Sequence, residues 1–280
     1  MQTSQPTRVS WLALACISAL GSTLAGCQRA DAASNAVAAP APREPVPAPS
    51  LLPAEPPAEV ASAAPAPSTA PVPASPPASL RAITSVLVLG DSLTDEKVGG
   101  GGFVKILRQQ CPKVSFDNRA KGGFMVNQIR KRLETEVLPE GQHYSHAIVF
   151  GGVNDLYSDQ TANRTLSRIE GDLTRIYSAL KARSTDVIAI TVTPWGGFKR
   201  WFTPERSQNT QTLNGWLLSQ PATGTISAAL DAYPLLSCGD PERLCPELAA
   251  PYKDGLHFGK LGHQKLAKAL IEGPFRSCQR

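Results

Sequence analysis

From residue 83 onward, short apolar runs alternate with stretches of helical period. Residues 83–89 are β-branched and apolar and end at Gly90; residues 146–150 repeat the pattern and close on Gly151-Gly152. Residues 114–116 and 186–192 read as two more strands, and 225–230 as a fifth. Helical patterns cover 103–110, 125–138, 161–183, 204–218 and about 260–271. In the third, Leu166, Ile169, Leu173, Ile176 and Leu180 recur at three- and four-residue steps. Strands that are apolar on both faces need cover on both faces, which is the condition of a parallel sheet. With right-handed crossovers, the expectation is an α/β fold, a three-layer αβα sandwich around a five-stranded, mainly parallel sheet. Loops after the carboxyl ends of such strands build the site.

Not all of the 280 residues can join that sandwich. Residues 11–26 are mostly small and apolar, follow Arg8, and end in Leu24-Ala25-Gly26-Cys27. The run is too short to read as a membrane span. Small residues before a cysteine resemble a bacterial lipobox, so residues 1–26 are expected to be a lipoprotein signal peptide and Cys27 the acylated N-terminus. An ordinary secretory signal with an incidental Cys27 is the alternative. Gln28 in place of an aspartate favours the outer membrane, which places the protein in the cell envelope, on the outer membrane or in the periplasm. Fourteen of the 25 prolines fall between Pro40 and Pro77. Proline removes donors and fixes φ, and large apolar groups are scarce there, so residues 27–81 are expected to form a disordered tether. Residues 82–280 remain as one domain of ordinary size.

The net charge of +5 is spread out, with one short cluster at Arg130-Lys131-Arg132 that reads as a solvated helix face. A nucleic-acid partner is not expected. Beyond Cys27 the cysteines are Cys111, Cys238, Cys245 and Cys278. Export implies an oxidising compartment and hence two disulfides. Three connectivities are possible; Cys238 and Cys245 bracket a short loop and are expected to pair, which leaves Cys111 with Cys278. The first and last helices of a sandwich can run together on one face, which suits that second pair. No Cys-x-x-Cys pattern argues for zinc.

The chemistry-bearing residues fall at predicted strand ends. Ser92 lies two residues past the first strand, in Gly90-Asp91-Ser92-Leu93. A serine hydroxyl needs a base to become a nucleophile. Of the four histidines, His143 and His146 sit at the start of a strand, on the wrong side of the sheet. His263 shares a helical face with Leu266, Ala267 and Leu270, which favours a structural role. His257 precedes the last helix, in a loop free to reach over the strand ends, and Asp254 stands three residues before it to orient its ring. Candidate oxyanion donors are the Ser92 amide, a glycine of Gly122-Gly123 and the Asn154 side chain, each after a different strand. The Gly-x-Ser-x-Gly elbow of α/β-hydrolases is absent.

Gly90-Asp91-Ser92-Leu93, the Gly122-Gly123 glycine, Gly152-Val153-Asn154-Asp155 and Asp254-Gly255-Leu256-His257 resemble, in order and spacing, the four blocks of the SGNH/GDSL hydrolase family. The resemblance implies a flavodoxin-like sandwich with Ser92 as nucleophile, His257 as base and Asp254 as its partner, and no metal or organic cofactor. Asn118 five residues earlier favours Gly123 over Gly122 as the donor. The expected activity is that of a cell-envelope serine esterase acting on short acyl groups, such as O-acetyl groups on glycans. A lysophospholipase or thioesterase is the alternative within enzymes, and a non-catalytic envelope-binding module the alternative outside them. Gly99–Gly102 after the nucleophile could be a mobile wall of the site or a plain flexible loop. In the loop after the fourth strand, Trp195 and Trp201 could hold a sugar ring or an acyl chain, or cap the core.

Overall fold

A computed structural model describes residues 81–279. The expected signal peptide, Cys27 and the tether up to residue 80 lie outside the described residues. The central sheet contains β1 (Ser85–Gly90), β2 (Ser115–Asn118), β3 (His146–Phe150), β4 (Asp186–Ile190) and β5 (Ala228–Leu230). Their order is β2-β1-β3-β4-β5 and every neighbouring pair is parallel. The chain winds outward in one direction from β1 to β2 and in the other from β3 to β5. The switch between β1 and β3 is where a sheet of this kind opens a crevice at its carboxyl edge.

Two helical layers cover the sheet. On one side α1 (Gly102–Gln110) packs on α8 (Lys260–Glu272). Elsewhere α2 (Val126–Arg132) packs on α4 (Leu166–Lys181), and α4 on α5 (Pro204–Ser219). Val86 to Leu89 and all of β3 are buried, as an interior parallel strand requires. The pairing Cys111–Cys278 ties the end of α1 to the segment beyond α8, and Cys238–Cys245 closes a short hairpin, as read from the sequence.

Several boundaries move for physical reasons. The helix expected over 125–138 is regular only to Arg132. It then widens over Leu133–Val137, where the Leu138 N–H reaches back to the Leu133 carbonyl, and tightens over Leu138–Glu140. Pro139 cannot continue an α ladder. The helix expected from 161 starts at Leu166, because the Thr165 side chain caps it by accepting from the Arg168 N–H. Short elements without a readable period were not expected: α3 (Val153–Tyr157), α6 (Ala232–Leu236), the hairpin of β6 (Ser237–Cys238) and β7 (Asp240–Leu244), and α7 (Pro246–Ala249). Three of these four lie between β5 and the Asp254 loop, and the fourth carries Asn154. Among the described residues, no helix is long and apolar enough to cross a membrane.

Candidate active site

The turn after β1 is built on Asp91. Its carbonyl accepts from the Thr94 and Asp95 N–H groups, and its Oδ1 accepts from the Leu93 N–H at 3.0 Å. This leaves Ser92 at the carboxyl edge, partly exposed. The glycine run packs beneath the turn. The Gly101 N–H donates to the Leu93 carbonyl at 3.0 Å, a Cβ at Gly100 would collide with the Ser92 carbonyl oxygen, and one at Gly102 would lie 2.7 Å from the His263 ring. The run therefore serves close backbone approach to the Ser92 turn.

Ser92 Oγ lies 2.9 Å from His257 Nε2, and His257 Nδ1 lies 2.6 Å from Asp254 Oδ2. A carboxylate only accepts, so Nδ1 carries the proton and Nε2 is left bare toward the serine hydroxyl. The other carboxylate oxygen, Oδ1, accepts from the Leu256 and His257 N–H groups, both at 2.9 Å. Burial acts to raise the Asp254 pKa, but these donors and the imidazole outweigh it and hold it below the usual value. The turn is possible because Gly255 adopts φ +76° while lying against the Gly197 backbone. The Tyr252 ring lies 5.7 Å from the His257 ring, and its hydroxyl donates to the Gly99 carbonyl at 3.3 Å.

The candidate N–H donors stand in the neighbouring loops. Among the described residues, no hydrogen bond engages the N–H of Ser92 or of Gly123. Gly122, by contrast, spends its N–H on Asp95 Oδ2 at 2.9 Å, which favours Gly123 as the free donor. Gly123 is exposed, at φ +77°, with open space where a side chain would stand. The third is Asn154, buried in α3. Its Nδ2 donates one hydrogen to the Phe124 carbonyl at 2.8 Å, and its Oδ1 accepts from the Tyr157 hydroxyl at 2.8 Å. The next residue, Asp155, accepts from the Val126 N–H at 2.8 Å and from Arg164 at 2.7 Å, so α3 holds the start of α2 in place.

The remaining histidines are elsewhere. His263 is buried between Phe103 and Phe258, which pushes its pKa down to about 4, and His146 begins β3 beside Ser145 and Asp186. One expectation is corrected. Trp195 is fully buried and its Nε1–H donates to Thr210 Oγ1 at 3.0 Å, so it belongs to the core and offers no surface to a substrate. Trp201 is partly exposed, with the Arg200 guanidinium 5.0 Å from its ring centre. Tyr157 and Tyr252 carried no signal in the sequence beyond, for Tyr157, its helical i+3 spacing from Asn154.

Residues 88–265 match the model of the GDSL-like lipase/acylhydrolase family, a span that begins in β1 and ends in α8. The chain belongs to this family. Its members' activity makes it a carboxylic ester hydrolase. The fold is shared with solved structures. A GDSL-like lipase from Bacteroides thetaiotaomicron is 19% identical with a TM-score of 0.57, over 69% of this chain and 89% of that one. A lipase/acylhydrolase from Enterococcus faecalis is 22% identical with a TM-score of 0.55, over 69% and 97%. An acetylxylan esterase from Geobacillus stearothermophilus is 19% identical with a TM-score of 0.54, over 70% and 96%. No curated protein matches the chain by sequence.

Proposed function

We propose that the chain removes short acyl groups, O-acetyl groups on glycans above all, through an acyl-enzyme on Ser92. The observation that carries this reading is the continuous line Asp254–His257–Ser92, with bonds of 2.6 and 2.9 Å, ending on a serine beside free backbone donors. Ser92 Oγ attacks the ester carbonyl carbon while its proton passes to His257 Nε2. Asp254 stabilises the imidazolium through Nδ1. The oxyanion takes hydrogen bonds from the Ser92 and Gly123 N–H groups and from the second Nδ2 hydrogen of Asn154. Collapse expels the alcohol, which takes the proton from Nε2. Water then loses a proton to His257 and attacks the acyl-serine, and the carboxylic acid leaves as Ser92 regains its proton.

Two things support a short acyl group on a bulky alcohol. The His257 and Asp254 side chains are 29% and 38% exposed, which suits an ester presented on a polymer better than one drawn into a deep apolar slot. The fold is also shared with acetylxylan esterases. The sequence features at Cys27 and in the tether support an envelope setting for such a substrate.

The test is hydrolysis of p-nitrophenyl esters from C2 upward by the purified chain and by Ser92→Ala. Turnover is expected to be highest at C2 and to vanish in the variant. A maximum at C8 or longer would replace the deacylase reading with a lipid acyl hydrolase. Equal background rates for both proteins on every ester would leave a binding module.

A further inference from the structure

We infer that Tyr157 is a positioning residue for the oxyanion site, setting the carboxamide of Asn154 so that one N–H is left free. The inference rests on the proposed role of Asn154. A primary amide can be turned over without changing its shape, so its useful orientation must be imposed by partners. Two partners impose it here. The Phe124 carbonyl can only accept, which fixes the nitrogen on that side at 2.8 Å. The Tyr157 hydroxyl then faces the oxygen at 2.8 Å and donates to it. With Oδ1 and one Nδ2 hydrogen engaged, a single hydrogen remains uncommitted. Phe124 also follows Gly123, so the first Nδ2 hydrogen binds the loop of one oxyanion donor to the side chain of another.

Tyr157 is in turn held by the loop that follows β4. Its ring meets Phe198 edge-on at 5.8 Å between centres and lies 6.1 Å from Trp201. That loop is clamped from α5. The Arg206 guanidinium donates to the Trp201 carbonyl at 2.6 Å and pairs with Asp159, two residues past Tyr157. The hydroxyl is therefore delivered by a packed aromatic group that Arg206 braces at Trp201 and at Asp159. Burial raises the Tyr157 pKa, and the nearby Asp91 and Asp155 carboxyls raise it further, so the phenol keeps the proton it donates. The aromatic loop acts on the reaction through this residue, whether or not Trp201 also touches substrate.

The decisive comparison uses Tyr157→Phe, Asn154→Ala and the double variant. Phenylalanine keeps the ring against Phe198 and Trp201 and removes only the donor. Tyr157→Phe is expected to lower kcat for p-nitrophenyl acetate roughly tenfold, the scale of one hydrogen bond, with KM and thermal midpoint near wild type. In the Asn154→Ala background the same change should cost nothing further, since the group it orients is gone. A wild-type kcat in Tyr157→Phe, or the same tenfold loss in both backgrounds, would overturn the inference. A second readout does not depend on turnover. In 15N-labelled protein the Asn154 side-chain NH2 pair should shift and exchange faster with solvent in Tyr157→Phe, and an unchanged pair would overturn the inference even for a chain inactive on every ester. Loss of all activity in Ser92→Ala tests the triad reading separately.

Discussion

Asp91 precedes Ser92 and is fully buried, yet only its Oδ1 finds a donor; Oδ2 has no partner. Desolvation raises its pKa to about 7, against the lowering effect of the Leu93 N–H. An unfolded carboxyl ionises near 3.8, so between that value and 7 the folded chain holds a proton that the unfolded chain has lost. The contribution of Asp91 to stability is therefore fully present below 3.8 and is lost as pH rises through 7, by roughly 4 kcal/mol at full development. His263 runs with the opposite sign, since its lowered pKa removes stability as pH falls toward 4. It is common to wild type and variant and drops out of their difference. Asp91→Asn cannot ionise, so its urea midpoint relative to wild type should climb steadily from pH 4 to 7.5. Parallel midpoints over that range would mean that Asp91 titrates normally. The proximity of this carboxyl to Ser92 was legible as Gly-Asp-Ser; its burial was not, because burial depends on where Gly151 and Asp155 are brought by other strands.

At the scale of elements, the loop of Asp254 and His257 is supported by segments that were unreadable in the sequence. The interior strands β1, β3 and β4 and the helix α4 announce themselves by continuous apolar runs or a 3.6-residue period, whereas β2, Ser115-Phe116-Asp117-Asn118, does not. Ser92, Asp254 and His257 stand in short motifs whose residues are adjacent in sequence. The hairpin β6–β7 and the helices α6 and α7 have no period to show, and they carry the approach to Asp254. Composition also could not tell Trp195 from Trp201. Only the fold decides that the first points at Thr210 in the core. The junction itself is a contact of two glycine backbones. The Gly196 N–H donates to the Glu242 carbonyl of β7 at 2.7 Å, and the next residue, Gly197, lies flat on Gly255. A Cβ at Gly255 would strike the Gly197 backbone, and Gly255 sits at φ +76° in any case. Gly255→Ala should therefore displace the turn that aims His257. A shift near 1 Å would cut kcat on the order of 10²-fold. Gly224→Ala controls for strain alone, because Gly224 has φ +70° with open space around it. Equal losses of activity in the two variants would show that backbone strain, rather than the glycine contact, is what matters.

Over the whole molecule, the two disulfides serve different ends of the sheet. Cys111–Cys278 spans 167 residues and joins α1 to the chain end, away from the loop carrying His257. Cys238–Cys245 spans 7 residues and closes the hairpin whose Glu242 carbonyl accepts from the Gly196 N–H. In the chain-entropy picture the long closure restricts the unfolded state by about 5 kcal/mol and the short one by about 2 kcal/mol. Function should order them the other way. Without Cys238–Cys245 the hairpin loosens beneath Gly197, and with it the turn of Asp254 and His257; without Cys111–Cys278 the catalytic edge of the sheet keeps its contacts. The paired variant Cys111→Ser/Cys278→Ser is thus expected to lose more in urea midpoint while retaining near wild-type kcat at 25 °C. Cys238→Ser/Cys245→Ser should lose less in midpoint and several-fold more in kcat. Measuring both quantities on both variants separates stabilisation of the chain from support of the site, and a single ranking shared by midpoint and kcat would show that the two bridges do the same job.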